Sequence, residues 1–394
     1  MTAAAPHGPR LRVVHVMTVP LSLGFLRGQA AYMAAQGVDL QAVTSPGPEL
    51  EPWGLREGVA VHAVEMPRRI SPAADLVALW RLVRLLRRLR PDVVHAHTPK
   101  GGLLGTIAAW LARVPARIYH VRGLPYVTAT GWRRALLMTT ERVSCGLAHR
   151  VLAVSRSMRA LAIRDLGCPP GKIEVLCGGS GNGVDATARF RPQPPGVAAA
   201  ARASLGIPGD APVVGFVGRL VRDKGIRELR EAWGLLRAAH PAAHLLLAGP
   251  AEPEDPVPLE VLAALRDDPR VHLLGKVADP VPWYAVMDVL ALPTYREGFP
   301  NVALEAAAMA LPVVATAVPG CTDAVVDGET GLLVPPADGV ALGRALERYL
   351  ADPALRAAHG ASARRRVLSD FRQEAIWAAL LETYRALAAE RGRG

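Results

Sequence analysis

The sequence predicts an α/β protein of two doubly wound domains, each a parallel sheet covered by helices. Three observations carry that expectation. Short apolar runs alternate with helical patterns along most of the chain, the signature of parallel strands joined by crossover helices. The alternation lapses in a Pro- and Ala-rich stretch ending at Pro212 and restarts with VVGFVGRL from Val213. The length of 394 residues, half of them hydrophobic, suffices for two domains of ordinary size with a core each.

In the first half, residues 11–16 read as a strand, and a loop through Pro20, Ser22 and Gly24 leads to a helix beginning near Phe25. A strand turning into a helix at a glycine places backbone amides at the carboxyl edge of a parallel sheet, where doubly wound folds bind ligands. There is no Gly-x-Gly-x-x-Gly. Further strands are expected at 40–44, 59–64, 93–97, 118–121, 151–154 and 173–176. Between them lies a helix over 75–90, in which Leu76, Leu79, Trp80, Val83 and Leu86 follow helical spacing. Arg81, Arg84, Arg87 and Arg88 occupy the other positions. The residues leave two readings: a basic amphipathic helix lying on an anionic bilayer, or a sheet-covering helix with a solvated arginine face. Arg133 and Arg134 continue the theme.

His95, His97, Thr98, Pro99 and Lys100 end one strand, and His120, Arg122 and Gly123 the next. Side chains at these carboxyl ends can meet a ligand. His95 reads as a core histidine. Lys100 and Arg122 read equally as contacts to an acceptor phosphate or as solvated charges. The run GGSGNGVD at 178–185 is the exit from the first domain. The division expected is 1–185, a linker at 186–211 with one short helix, and a second domain at 212–370. A closing helix at 371–390 carries Ile376, Ala379, Leu380, Thr383 and Leu387 as a helical stripe.

In the second half, Gly218 lets a backbone approach, Arg219 can fork two phosphate oxygens and Lys224 adds a point charge. Strands at 244–247 and 271–274 follow, the latter running into Gly275, Lys276 and Val277. A strand at 289–292 precedes residues 294–308, TYREGFPNVALEAAA, read as a loop opening into a helix near Pro300. Glu297 sits in the loop and Glu305 about one and a half turns into the helix. Between them the amides of Asn301, Val302 and Ala303 at the positive end of the dipole suit a phosphate. Strands at 313–316 and 332–334, and a helix at 339–350 capped by Asp338, complete the alternation.

The Glu297-to-Glu305 stretch, with Gly298, Phe299, Pro300 and Asn301 inside it, resembles the signature of family 4 glycosyltransferases. The resemblance extends over nearly the whole chain. It implies the GT-B fold: two Rossmann-like domains facing across a cleft, with the final helix crossing back onto the first. It also implies that Glu297 meets the transferred sugar, Glu305 the nucleotide ribose, and Arg219 and Lys224 the donor diphosphate. The donor set becomes Gly218, Arg219, Lys224, Val277, Glu297, Gly298, Phe299, Pro300, Asn301, Val302 and Glu305. His120 would lie beside the sugar-diphosphate junction, making the catalytic group His120, Glu297, Arg219 and Lys224. The acceptor set is Gly24, His97, Lys100 and Arg122, although the loop in which the family often has a Gly-Gly pair here reads Leu21, Ser22, Leu23, Gly24. The runs HTPKGGLLG from His97, RGLPYVTATG from Arg122 and GSGNGVD from Gly179 look most like bacterial enzymes of capsule, lipopolysaccharide or glycan assembly, whose acceptors are often sugars on an isoprenoid diphosphate.

The function expected is therefore retaining transfer of a hexosyl or N-acetylhexosaminyl group from a nucleotide-diphosphate sugar, in all expectation a UDP-sugar, to an acceptor hydroxyl. No cofactor and no metal are expected, since no Asp-x-Asp triplet of metal-dependent transferases is present. Front-face attack, with the leaving phosphate taking the proton, is the route this implies. The net charge of +11 is uneven: up to Asp185, 23 Lys and Arg stand against 11 Asp and Glu, and the remainder is nearly balanced. The first half thus suits an anionic partner, a membrane surface or a phosphorylated acceptor. Nucleic acid is discounted for want of aromatics and of any recognised binding signature. Four cysteines without zinc spacing fit reduced thiols. No stretch reads as a transmembrane span or, at the amino terminus, as a secretory leader, so a cytoplasmic location with peripheral contact at the inner membrane face is expected. Two other classes fit the architecture: a sugar-nucleotide 2-epimerase, which would need acid and base carboxylates at the sugar, and a non-catalytic sugar-nucleotide-binding scaffold.

Overall fold

The computed structural model describes residues 10–252 and 255–391; the amino-terminal segment considered as a leader lies, through residue 9, outside them. The chain forms two compact units, one within Met1–Asn182 and Gln373–Gly394 and the other Gly183–Arg372. The first has strands β1 (Leu11–Val16), β2 (Val38–Thr44), β3 (Ala60–Ala63), β4 (Val93–His97), β5 (Ala116–Val121), β6 (Arg150–Ala153) and β7 (Ile173–Glu174), in the spatial order β3-β2-β1-β4-β5-β6-β7. The second has β8 (Val213–Val217), β9 (His244–Ala248), β10 (Val271–Gly275), β11 (Val289–Leu292), β12 (Val313–Thr316) and β13 (Gly331–Val334), in the order β10-β9-β8-β11-β12-β13. Every pairing is parallel. In both units the strand order reverses beside the first strand, and loops leaving the sheet on either side of that reversal form the ligand crevice of doubly wound folds.

Both faces of each sheet are covered. In β1, Val13 packs with one hydrophobic cluster and Val14 with the other, as alternate side chains must. The Val13 cluster includes Trp377, Leu380, Leu381, Tyr384 and Leu387, so the helix Gln373–Arg391 closes this face of the first unit. Trp377 Nε1 donates to Asn182 Oδ1 at 2.7 Å, and its ring lies 2.9 Å from where a Cβ on Gly28 would stand. Gly28 has φ +76°, so glycine is required there for both conformation and space. In the second unit the helices Ile226–Ala239 and Gly339–Ala351 share a core with β8, β9 and β11.

Three expectations need correction. The helix expected near Phe25 is instead a 3-10 turn, Pro20–Leu26, broken at Gly28 and followed by a helix over Gln29–Ala35. The basic helix spans Pro72–Leu89, and its buried stripe is Ala78, Leu82, Leu85 and Leu86. Leu76 and Trp80 are 68% and 57% exposed. The helix carries two apolar stripes, and the one with the small Ala78, allowing the closer approach, faces the core. Finally, Pro353–Asp370 forms a long helix that apolar periodicity does not reveal; it buries His359, Gly360, Ala363 and Val367, and Asp352 caps it by accepting from the Leu355 amide.

Replacing the buried Trp377 by Ala removes a large core ring and the Asn182 hydrogen bond. We expect a loss of about 3 kcal/mol or more in urea-induced unfolding, and an unchanged midpoint would show that the closing helix does not stabilise the first unit.

Candidate active site

In the second unit the site begins with β8. Its exit is Gly218, at φ +155°, followed by Arg219 and a 3-10 turn at Arg222–Lys224. The exits of β8 and β9 touch so closely that a Cβ on Gly249 would lie 1.8 Å from the Gly218 carbonyl oxygen. Across the strand-order reversal, the β11 exit carries Thr294 to Glu297. Asp223 fastens this loop to the 3-10 turn. Its carbonyl accepts from Thr294 Oγ1 at 3.1 Å and from the Tyr295 amide at 2.9 Å, while its carboxylate takes Arg296 Nε at 2.7 Å. Tyr295 extends the fastening by donating to Glu228 Oε1 at 2.6 Å. A Cβ on Gly225 would meet the Pro293 carbonyl oxygen at 2.0 Å, so the two loops pack backbone to backbone.

This packing brings Lys224 against Glu297 as a hydrogen-bonded ion pair. Arg219, on the same loop, pairs through Nη1 with Glu252 Oε2 at 2.6 Å. The β12 exit closes the other side: a Cβ on Gly320, at φ +83°, would meet the Gly298 carbonyl oxygen at 2.6 Å. Phe299 packs on Phe371, with ring centroids 5.4 Å apart, and Pro300 precedes the helix Asn301–Ala308. The Ala303 amide bonds back to the Pro300 carbonyl at 3.0 Å, so the expectation that it is open to a phosphate is corrected. Asn301 and Val302 occupy the first turn, at the positive end of the dipole. Glu305 is reached by Tyr284, whose hydroxyl donates to Oε2 at 2.8 Å. Burial pushes the Glu305 carboxyl up to about 7, against the pull of the Tyr284 bond and of Arg189. Val277 follows Gly275, whose φ of +65° turns the β10 exit. Every residue of the expected donor set therefore lies on an exit loop at the carboxyl edge of one sheet, or in the helix that follows. Glu252, Asp223 and Tyr284 were not among the expected site residues, because only tertiary contact connects them to it.

In the first unit the carboxyl ends of β1, β4 and β5 hold a cluster of imidazoles. Arg122 Nε donates to His97 Nδ1 at 3.0 Å, and His97 Nε2 meets His15 Nδ1 at 2.8 Å. His15 Nε2 lies 3.3 Å from the Tyr384 hydroxyl, itself 2.7 Å from His95 Nδ1. Guanidinium only donates, so the direction of the whole chain follows. His97 and His15 each carry their proton on Nε2, Tyr384 donates to His95, and the His95 proton sits on Nε2, which is buried without a partner among the described residues. Burial holds all four rings, His120 included, below the ordinary histidine range, His15 down to about 3. The rings are neutral at physiological pH. His120 stacks on His95 with centroids 5.2 Å apart, and its Nδ1 has no partner among the described residues.

His15, His95 and His97 come close enough together to be considered as metal ligands. Both nitrogens of His15 and of His97 and Nδ1 of His95 are already engaged, and a guanidinium abuts His97, so the cluster suits hydrogen bonding rather than a cation. His97 is fully buried with both nitrogens engaged, which corrects the expectation of direct acceptor contact: it positions Arg122 instead. Lys100 is held by the Asp75 carboxylate at 2.8 Å and by the Arg69 carbonyl. Gly24 lies in the 3-10 turn with open space where a Cβ would stand.

Residues 24–179 match the model of the glycosyl transferase 4-like domain, and residues 211–352 that of glycosyl transferases group 1. The capsular polysaccharide biosynthesis glycosyltransferase CapM of Staphylococcus aureus is 34% identical over 379 residues, covering 96% of this chain and 98% of CapM. The chain belongs to the family 4 glycosyltransferases. A D-inositol 3-phosphate glycosyltransferase of Kineococcus radiotolerans is 35% identical over 328 residues, 76% of this chain and 74% of that protein. Among solved structures, Anabaena HepE in complex with UDP-glucose aligns at a TM-score of 0.79 and 22% identity, over 95% of this glycosyltransferase and 99% of HepE. Sucrose-phosphate synthase from Thermosynechococcus elongatus aligns at 0.79 and 26%, over 97% and 100%. The fold is GT-B.

The Arg219–Glu252 pair competes with any anion for the guanidinium. Glu252→Ala is expected to tighten UDP binding about fivefold in calorimetric titration, the order of 1 kcal/mol expected of a half-exposed ion pair. Weaker binding would mean that Glu252 contacts the nucleotide.

Proposed function

We propose that this glycosyltransferase transfers a sugar, with retention, from a UDP-sugar to a hydroxyl of a glycan or lipid-linked acceptor in bacterial surface polysaccharide assembly. The observation that carries the donor side is the set of two cations, a helix N-terminus and two carboxylates along one sheet edge. The names of CapM and of the UDP-glucose complex of HepE support the pathway and the nucleotide. Arg219 and Lys224 balance the charge that the leaving diphosphate gains, and the helix dipole adds to them. Glu297, ion-paired with Lys224, accepts from the hydroxyls of the transferred sugar and fixes its orientation. Glu305 accepts from the ribose. His120, neutral, serves as a hydrogen-bonding group toward the sugar rather than as an acid. The departing phosphate takes the proton of the attacking hydroxyl, and no cofactor or metal is assigned a step.

Helix Pro72–Leu89 supports a peripheral membrane role. It exposes Leu76, Val77 and Trp80 alongside Arg81, Arg84, Arg87 and Arg88, and Trp132 is 69% exposed beside Arg133 and Arg134. Apolar insertion plus about 1 kcal/mol of attraction per basic residue suits an anionic bilayer. No helix among the described residues is long and apolar enough to cross a membrane.

Glu297→Gln is expected to lower kcat at least a hundredfold with labelled UDP-sugar and bacterial lipid extract, while UDP binding stays within a few-fold. Undiminished transfer would reject its role, and a changed sugar nucleotide without transfer would favour epimerisation. An ionised Glu305 accepts from ribose hydroxyls more strongly than a protonated one, so KM for the donor should fall as pH rises through about 7. Glu305→Gln should abolish that dependence. The same raised carboxyl binds a proton in the native state that the unfolded chain releases, so its contribution to stability declines between the ordinary carboxyl range and about 7. Trp80→Ser with Trp132→Ser should reduce cosedimentation with phosphatidylglycerol vesicles; retention equal to the parent protein would exclude these residues as the contact.

A further inference from the structure

Arg122 differs from several other half-buried cations. Lys224, Lys100, Arg202 and Arg356 each face a carboxylate, on Glu297, Asp75 and, for the last two, Asp288. Arg122 has none among the described residues. Its guanidinium lies over the Phe25 ring, 4.4 Å from the centroid. Nε is engaged by His97, and Nη2 reaches the Gly181 carbonyl only at 3.5 Å. A Cβ on Gly181 would fall 2.0 Å from Nη1, so a glycine there admits the guanidinium against the loop backbone. Everything else around it is neutral: four imidazoles and the Tyr384 hydroxyl. Burial lowers the Arg122 pKa to about 9, which leaves it charged at physiological pH. A cation drawn into such surroundings without a counter-charge is unfavourable unless a ligand supplies one.

The relay from Tyr384 gives this cation a fixed direction. With His97 Nδ1 obliged to accept from Nε, Nη1 has no acceptor among the described residues, at the carboxyl edge of β5 where ligands of this fold bind. We infer that Arg122 receives a phosphate group of the acceptor, so that the acceptor is a phosphate-bearing molecule rather than a neutral glycan. A planar guanidinium suits phosphate oxygens, and the phosphate restores neutrality to the cluster. Tyr384, His95, His15 and His97 are positioning residues for Arg122. This inference rests on the proposed transferase reading and names the acceptor class within it.

The test separates the two. In a variant carrying Arg219→Ala and Lys224→Ala, which removes the donor cations, inorganic pyrophosphate titrated by calorimetry should still bind saturably. Adding Arg122→Met should weaken that binding at least tenfold, and Arg122→Lys should restore part of it. Binding indifferent to Arg122, or absent before it is changed, overturns the inference. In the otherwise unaltered enzyme, Arg122→Met should raise KM at least tenfold for a phosphate-bearing acceptor and leave UDP affinity within twofold. Running a soluble sugar 1-phosphate beside a short-chain isoprenyl diphosphate sugar tells which source supplies the phosphate. Loss of UDP binding in Arg122→Met would assign the residue to the donor and overturn the inference. Failure of the parent enzyme to bind UDP at all would instead strike the transferase reading. Because the cation is uncompensated, Arg122→Met should melt no lower than the parent; a clear drop with pyrophosphate binding intact would make Arg122 structural. Tyr384→Phe, which frees His15 and His95 from the relay while keeping the ring, should raise acceptor KM without changing kcat, and no change would remove the relay from the account.

Discussion

The second unit depends on one fastening, the hold of Asp223 on the loop that carries Glu297. The Asp223 carbonyl and carboxylate tie the exits of β8 and β11 across the point where strand order reverses, and the Asp223 amide is held in turn by the Asp255 carboxylate. Without that tie a lysine on one loop and a glutamate on another would be two solvated charges. With it, Lys224 and Glu297 are held together at the edge of a sheet in which β11 and β12 are buried throughout. Glycines at 218, 225, 249 and 320 make the fastening possible, since a side chain at 225, 249 or 320 would strike the neighbouring loop's backbone. Backbone packing of this kind is stiff, and stiffness lets a site present charge before its ligand arrives.

The two units handle charge in opposite ways. In the second, Arg219 and Lys224 each already face a carboxylate, so an incoming anion would exchange with one already in place. In the first, a guanidinium sits among neutral rings, and burial that keeps the imidazoles neutral also keeps them from repelling it. The contrast extends to the sequence, in which the surplus of cations belongs to the first half. Two exposed tryptophans, Trp80 and Trp132, stand beside arginines on helices of the first unit.

Much of the architecture was legible because strands of a parallel sheet are buried on both faces and therefore read as unbroken apolar runs. The strands at 11–16, 93–97, 289–292 and 313–316 fall where those runs predict. Helices were less legible where the apolar pattern is ambiguous. In Pro72–Leu89 two stripes compete, and only the close packing allowed by Ala78 decides between them. In Pro353–Asp370 the buried residues include a glycine, an alanine and a histidine, and no hydrophobic stripe announces it. The residues that the resemblance assigns to the donor stand in the sequence as a recognisable pattern, yet their counter-ions do not. Glu252 reaches Arg219 only because the β9 exit packs on the β8 exit, and Tyr284 reaches Glu305 from 21 positions away. The histidines of β4 and β5 were visible as strand ends, but the relay needs Tyr384 from the far end of the chain.

The account stands on the proposal that the second unit grips a nucleotide diphosphate. Its most direct test is equilibrium titration of UDP into the parent protein and into the variant carrying Arg219→Ala with Lys224→Ala, with circular dichroism confirming that both are folded. Removing two charge-assisted hydrogen bonds together should weaken binding about a hundredfold or more. Equal affinity in the two proteins would contradict it.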